Sequence, residues 1–497
     1  MEPFADYERH DATGLAELVR SHQVHPLELF EAAARRIEER NPALNAVVYL
    51  DLDRARQEAA LGSREGPFAG VPFVVKDIGA AVAGLPYTES SRSRVGYVSP
   101  ADNEVVLRHR RAGLIILGKT NTPEIGLAVI TEPELHGPTR NPWDLSRTPG
   151  GSSGGSAVAV AAGMVPLAHG TDGGGSIRIP ASHCGLFGLK PTRGRSTWGP
   201  DRVEDWLGLT EQHGLSRSVR DSARLLDATH GAPPGTPYRP APPSRSYAEE
   251  VGAPPGRLRI AFTRTALLDE RPMDPECVAA VEDAARLCAD LGHEVTEVRL
   301  PLDIPVIVNA FVTLAGVQAA LEIGVSERLT GRRAHPGDVE LVTWIARLIG
   351  DRRSAADLGR ALDVMRHAGL AMATFMQEYD AVLTSTVAQP PWPIGEYDLR
   401  SAQRAVLRVV GRVPLGPLLR AVVGQLSGEI LRQMPNTPLC NLTGQPAMSV
   451  PLYWTSSCLP VGVQFIGRLD EEWRLFRLAS QLEAARPWWE RRPALAG

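Results

Sequence analysis

Two serines set among glycines, Ser152 and Ser176, stand 24 positions apart within TPGGSSGGSAVAVAAGMVPLAHGTDGGGSIRIP, residues 148–180. Glycines beside a hydroxyl let the backbone turn sharply and bring bare N–H groups up to a bound group. A serine so placed is a candidate nucleophile and needs a base. The residues between the two loops, Ala157 to Ala162, are small and apolar. They suit a tightly packed buried helix, with Ser153 or Ser156 as its cap, better than a solvated Gly/Ser tether. After Ser176 the glycines run into an alternating apolar segment, Ile177 to Pro180. His169 and His183 are near in sequence, yet no surrounding pattern orients either. A lysine serves as base when desolvation lowers its pKa. Lys76 closes the apolar run GVPFVVKDI, residues 70–78, which reads as a buried strand with Pro72 tolerated at its start. Moving a lysine from about 10.4 to near 8 takes roughly 3 kcal/mol against the ammonium form, which burial at a strand end supplies. A surface ion pair between Lys76 and Asp77 is the other reading, and the residues alone leave both open.

Three patterns match letter strings without their structural context. Residues 150–154 satisfy G-x-S-x-G, but a nucleophile elbow needs a buried strand running into the serine, and NPWDLSRTP precedes it. Residues 113–120, GLIILGKT, satisfy the phosphate-binding P-loop, as in an NTPase, except that the strand Leu114 to Leu117 falls inside the pattern. The twelve histidines contain no His-Glu-x-x-His, and the five cysteines (Cys184, Cys277, Cys288, Cys440, Cys458) form no Cys-x-x-Cys. His183-Cys184 are neighbours, and neighbours on a strand face opposite ways, which leaves Cys184 a packing role. Neither a metal nor an organic cofactor is expected.

Taken together, Lys76, GGSSGGS at 150–156, GTDGGGSIRIP at 170–180 and CGLFGLKPT at 184–192 resemble the amidase signature family. The resemblance runs from the helical pattern Leu15 to Glu39 to NLTGQPA at 441–447 and PVGVQ at 460–464. It implies a Ser–Ser–Lys triad: Ser176 the acylated nucleophile, Ser152 a proton relay after a cis peptide bond, Lys76 the base. It also implies an oxyanion hole from the N–H groups of Gly173, Gly174, Gly175 and Ser176, with Asp172 and Arg178 shaping the loop. Gly126, Leu127, Ala128 and Ser152 fall where the family binds substrate. Gly173 departs from a family position that usually carries a side chain, which implies a roomier or slower site. TEPE at 131–134, TRNPW at 139–143 and PWWERRP at 487–493 are similar to the branch containing 6-aminohexanoate cyclic-dimer hydrolases. That branch takes uncharged, synthetic amides.

The elements that must position these residues follow from pattern. The 497 residues are 43% apolar with a net charge of −4 and no basic stripe, so no nucleic-acid partner is expected. MEPFADYERHDATG lacks an apolar signal core, and Val306 to Val325 carries Asn309, Gln318 and Glu322, so it reads as a core or pocket helix and not a membrane span. Unpatterned cysteines point to a reducing cytoplasm. GAPPGTPYRPAPPSRSYAEEVGAPPG, residues 231–256, reads as an exposed excursion. Beyond it, strands at Leu258–Phe262, Glu294–Val298 and Ala381–Thr384 alternate with helices such as Cys277–Leu291, an α/β pattern. The expectation is one α/β domain over 1–497, a mixed central sheet covered on both faces by helices. Residues of about 60–230 form its catalytic core, and the C-terminal half completes sheet and pocket. Phe311, Trp344, Leu348 and Trp392 are candidates for an apolar pocket. The function expected is hydrolysis of neutral aryl or alkyl amides, and of carbamates, by a monomer or homodimer. The alternatives are a glutaminase subunit of a tRNA-dependent amidotransferase and a non-catalytic binding scaffold.

Overall fold

The computed structural model describes residues 2–494 except 64, 201, 233–234, 270, 413–427 and 429–430, so Pro233 and Pro234 of the proline-rich segment lie outside the described residues. Eleven strands among the described residues form one mixed sheet: β1 (Val47–Leu50), β2 (Pro72–Lys76), β3 (Ile115–Thr120), β4 (Leu167–Asp172), β5 (Phe187–Lys190), β6 (Glu211–Ser216), β7 (Arg259–Phe262), β8 (Glu294–Glu297), β9 (Ala381–Ser385), β10 (Ala447–Trp454) and β11 (Pro460–Gly467). Their order is β1-β3-β2-β4-β6-β5-β10-β11-β9-β7-β8. β2 runs parallel to β3 and β4, and β7 parallel to β8 and β9, while the remaining pairs are antiparallel. Every residue of β2 to β6, β9 and β11 is buried, which requires cover on both faces of the sheet. The edge strands β1 and β8 are the exposed ones.

The strands expected at Leu258–Phe262, Glu294–Val298 and Ala381–Thr384 appear within a residue of their places, the helix bounded at Pro275–Asp290 within two, and the strand expected at Leu114–Leu117 runs on to Thr120. The two halves of the chain are stitched at β5 and β10, where Ala447 faces Lys190, so the sheet is continuous across them. The segment between the serine loops is the helix Gly154–Ala161, buried at every residue. Neither serine caps it through its side chain. Ser153 Oγ instead donates to the Thr171 carbonyl (3.2 Å) and Ser156 Oγ to that of His169 (2.7 Å), tying the helix to β4.

Three expectations change. The segment after Ser176 forms the helix Arg178–Cys184, because the N–H groups of Ile177 and Arg178 turn onto the Asp172 carboxylate. The N-terminal pattern is two helices, Ala12–Arg20 and Pro26–Leu44, the second opened by a capping box between His25 and Glu28. The proline-rich segment is anchored, not merely exposed: Tyr247 is buried in the core, and the Tyr238 ring sits under the Arg193 guanidinium at 5.1 Å.

Candidate active site

Lys76 ends β2 fully buried, with its Nζ 2.6 Å from Ser152 Oγ and 2.8 Å from Thr171 Oγ1. Burial pushes its pKa down to about 7, against the opposing pull of the carboxylates of Asp172, Glu89 and Asp205. The Lys76–Asp77 pair does not form. Consecutive residues leave a strand on opposite sides, and Asp77 is taken by Lys119 and by Thr88 Oγ1 at 2.7 Å. The same contact settles GLIILGKT: Lys119 is a core residue on β3, stacked 4.4 Å from the Tyr87 ring, and no phosphate cradle forms around it.

The two serine loops meet. The Gly151–Ser152 peptide is cis, the Ser152 carbonyl accepts from Thr122 Oγ1 (2.9 Å), and the Ser153 N–H donates to the Ser176 carbonyl (3.1 Å). Ser152 and Ser176 both line one small cavity of about 40 Å³, together with Gly126, Leu127, Gly173 and Gly174. Ala128 does not join them. Past the tight turn at Glu124–Gly126 it lines a separate neighbouring pocket. Of the apolar-pocket candidates Phe311 reaches the cavity, and Trp344, Leu348 and Trp392 do not. Trp392 packs edge-on against His183 at 4.8 Å.

Asp172, at the end of β4, shapes the loop that follows. Its carboxylate accepts from the Gly175 N–H (2.7 Å) and the Ile177 N–H (3.2 Å) and pairs with the fully buried Arg178 at 2.8 Å. Arg178 is held in turn by Gln464, Asn441 and the Thr437 carbonyl. This corrects the expected oxyanion hole. The Gly175 N–H is spent on Asp172, leaving Gly173, Gly174 and Ser176 as the donors free to face the cavity. Gly175 is still required as glycine, since its φ is +124° and a Cβ there would collide with Thr437 Oγ1. Gly173 does not make the site roomier: a Cβ on it would stand 2.7 Å from Thr210 Oγ1, which fills that space.

Neither nearby histidine reaches a serine. His169 Nε2 bonds Gln212 Oε1 at 3.0 Å, and burial pushes His169 and His183 each down to about 3. The Cys184 thiol is buried and its pKa is raised by desolvation. Among the described residues no three His, Cys, Asp or Glu side chains converge as a metal would require. Sequence reasoning missed Thr171, Thr210, Asp205 and Trp206, all on the cavity wall. Thr171 stands in the glycine-marked string that the sequence singles out, but only the fold, which lays the end of β4 beside β2, shows that its hydroxyl meets the lysine.

The arrangement is a desolvated amine on a serine, beside a second serine in a glycine loop with unspent N–H donors. Such a set can pass a proton and hold a tetrahedral oxyanion. The Amidase family model matches residues 28–476. The chain is 38% identical to 6-aminohexanoate-cyclic-dimer hydrolase of Pseudomonas sp. (strain NK87), covering 98% of this chain and 96% of that one. It is 40% identical to a putative amidase AmiB2 of Mycobacterium tuberculosis (strain ATCC 25618 / H37Rv), covering 94% of each. The solved structure of a 6-aminohexanoate cyclic dimer hydrolase complexed with substrate superposes with a TM-score of 0.88 at 37% identity, covering 99% of this chain and all of the other. A bacterial aryl acylamidase of the amidase signature family superposes at 0.84 with 26% identity, covering 98% and 99%. This chain belongs to the amidase signature family and is a hydrolase of amide C–N bonds.

Proposed function

We propose that Ser176 is the nucleophile, Ser152 the proton relay and Lys76 the base, and that the substrates are uncharged aryl or alkyl amides, linear ones included, together with carbamates. The observation that carries this is the buried 2.6 Å contact between Lys76 Nζ and Ser152 Oγ, on a cavity that Ser176 shares. With its pKa near 7 the amine is substantially neutral at physiological pH. Its lone pair takes the Ser152 proton as Ser152 Oγ takes that of Ser176. Ser176 Oγ then bonds to the carbonyl carbon, and the carbonyl π electrons move onto oxygen. The N–H groups of Gly173, Gly174 and Ser176 stabilise that oxyanion, each such donor being worth about 10²–10³ in rate. Collapse breaks the C–N bond, and the proton returns through Ser152 to the leaving amine. Water enters by the same relay and releases the acid from Ser176. A carbamate passes through the same tetrahedral oxyanion and leaves a carbonate-type acyl group on Ser176.

The lining supports an uncharged substrate. Ile78, Ile125, Leu127, Val129, Phe311 and Met434 make much of the wall apolar, Asp205 adds a carboxylate, and among the described residues no lysine or arginine side chain opens onto it to grip a substrate carboxylate. Arg178 is consumed by Asp172, and Arg140 donates away to the Leu145 carbonyl at 2.9 Å. Every group in the scheme comes from this one chain. That supports a stand-alone enzyme over a component of an amidotransferase, even though a solved chain of a glutamyl-tRNA(Gln) amidotransferase superposes with a TM-score of 0.75. The test is a matched set of one nitroanilide, one aryl carbamate, one nylon oligomer and glutamine, assayed with the chain alone. Turnover of the neutral substrates with little or none of glutamine is expected. Preference for glutamine, or release from none of the neutral substrates, refutes the reading.

A further inference from the structure

A chamber of about 300 Å³ lies against the catalytic cavity and shares Ile78, Ile125, Asp205 and Trp206 with it. The catalytic cavity, at about 40 Å³, holds little more than the scissile group, so the body of a substrate must run out of it. The chamber wall joins aromatic faces, Tyr87, Tyr97 and Trp198, to a buried charge network. Glu89 pairs with Arg94 (2.8 Å), Arg94 with Glu322 (2.8 Å), and Arg202 with both Glu322 and Asp205 (2.6 Å each). Three carboxylates therefore share two guanidiniums, and among the described residues no third cation pairs with any of the three. The chamber wall also holds an unspent donor: Trp198, 7% exposed, has no partner for its indole N–H.

We propose that this chamber is the leaving-group subsite: it takes the hydrocarbon arm on the amine side of the scissile bond and then the alkylammonium that cleavage releases. The assignment rests on the amide-hydrolase reading above, in which Ser176 keeps the acyl half. Hydrolysis yields one product of each sign at neutral pH, a carboxylate from the acyl half and an ammonium from an alkylamine. Three carboxylates against two guanidiniums repel the first and attract the second, and the rings of Tyr97 and Trp198 add cation–π attraction for an organic cation. Burial pushes the Asp205 pKa up, which favours a proton there in the empty chamber, and an ammonium takes that proton's place. The helix Ile304–Thr330 supplies Glu322 to this wall and Phe311 to the catalytic cavity, so one element spans both.

The test measures binding without turnover. Hexylammonium, hexan-1-ol and hexanoate are titrated calorimetrically into Ser176→Ala protein. Hexylammonium is expected to bind about tenfold or more tighter than hexan-1-ol, with hexanoate weakest. Glu89→Gln removes the surplus while leaving each arginine a carboxylate, and is expected to cut that preference about fivefold or more with the alcohol's affinity kept. Asp205→Asn does the same from the neck between the cavities, with Arg202 still on Glu322. Equal binding of alcohol and ammonium overturns the proposal, and so does a preference that survives both substitutions. Fluorophosphonate labelling of Ser176 in the unsubstituted protein reads the catalytic assignment separately, so failure of one is not mistaken for failure of the other.

Discussion

If Lys76 is the base, kcat/KM must follow its neutral fraction. The active species is the deprotonated amine, so activity rises with pH through the lysine pKa and levels above it. At a pKa of about 7 the neutral fraction is about one half at pH 7, roughly 9% at pH 6 and roughly 1% at pH 5. At the ordinary value of 10.5 only about 0.03% would be neutral at pH 7, so burial raises the competent fraction by roughly three orders of magnitude. The assay is kcat/KM from pH 5 to 9 on a substrate with no titrating group. A tenfold fall per pH unit below about 6.5 is expected, with a plateau above about 8. Glu89 and Asp205 both pull the lysine pKa upward, so Glu89→Gln and Asp205→Asn should each move the limb to lower pH. His169 and His183, near 3 by burial, cannot produce it. A profile flat from pH 5 to 8, or a rise that continues to pH 9 without a plateau, refutes the reasoning, as does a limb that persists in Lys76→Ala.

Other outcomes test the surrounding structure. Ser152→Ala should lower kcat by about 10²–10⁴, the usual worth of a positioned proton-transfer group, with thermal unfolding little changed. Thr171→Val takes away the second partner of Lys76 Nζ and should cost roughly tenfold in kcat, about the strength of one hydrogen bond, with Thr171→Ser retaining most of the rate. Asp172→Asn strands the buried Arg178 guanidinium and should destabilise the fold by about 3–5 kcal/mol in denaturant unfolding. Gly173→Ala drives a methyl onto Thr210 Oγ1 and should impair turnover, and Thr210→Ala in the same chain should restore part of it. Failure of that rescue would show that some other contact demands glycine at 173.

The serine loops and Lys76 were legible because chemistry fixed them in short, glycine-marked or apolar strings. The α/β alternation was legible because the short runs of β7, β8 and β9 alternate with helical patterns such as Pro275–Asp290. What the sequence hid depends on contacts across the fold. Gly175 looks like its neighbouring glycines, and only the turn of its N–H onto the Asp172 carboxylate removes it from the oxyanion hole. Ala128 sits two residues from Gly126, yet the turn at Glu124–Gly126 sends it to another pocket. Thr210 matters through its fit against Gly173, from a segment that carries no motif. The helix Arg178–Cys184 was hidden by the alternation of Ile177 and Ile179, while its cause, the Asp172 carboxylate, precedes it by six residues. Glu89, Asp205 and Glu322 are far apart in the chain and converge only through Arg94 and Arg202.

The central claim is that Ser176 carries the acyl group. Intact-mass measurement after rapid acid quenching of the chain with a nitroanilide or an aryl carbamate, followed by peptide mapping, tests it directly. One acyl mass is expected on the peptide containing Ser176, absent in Ser176→Ala and accumulating more slowly in Lys76→Ala. An adduct on the Ser152 peptide, or turnover in Ser176→Ala, contradicts it.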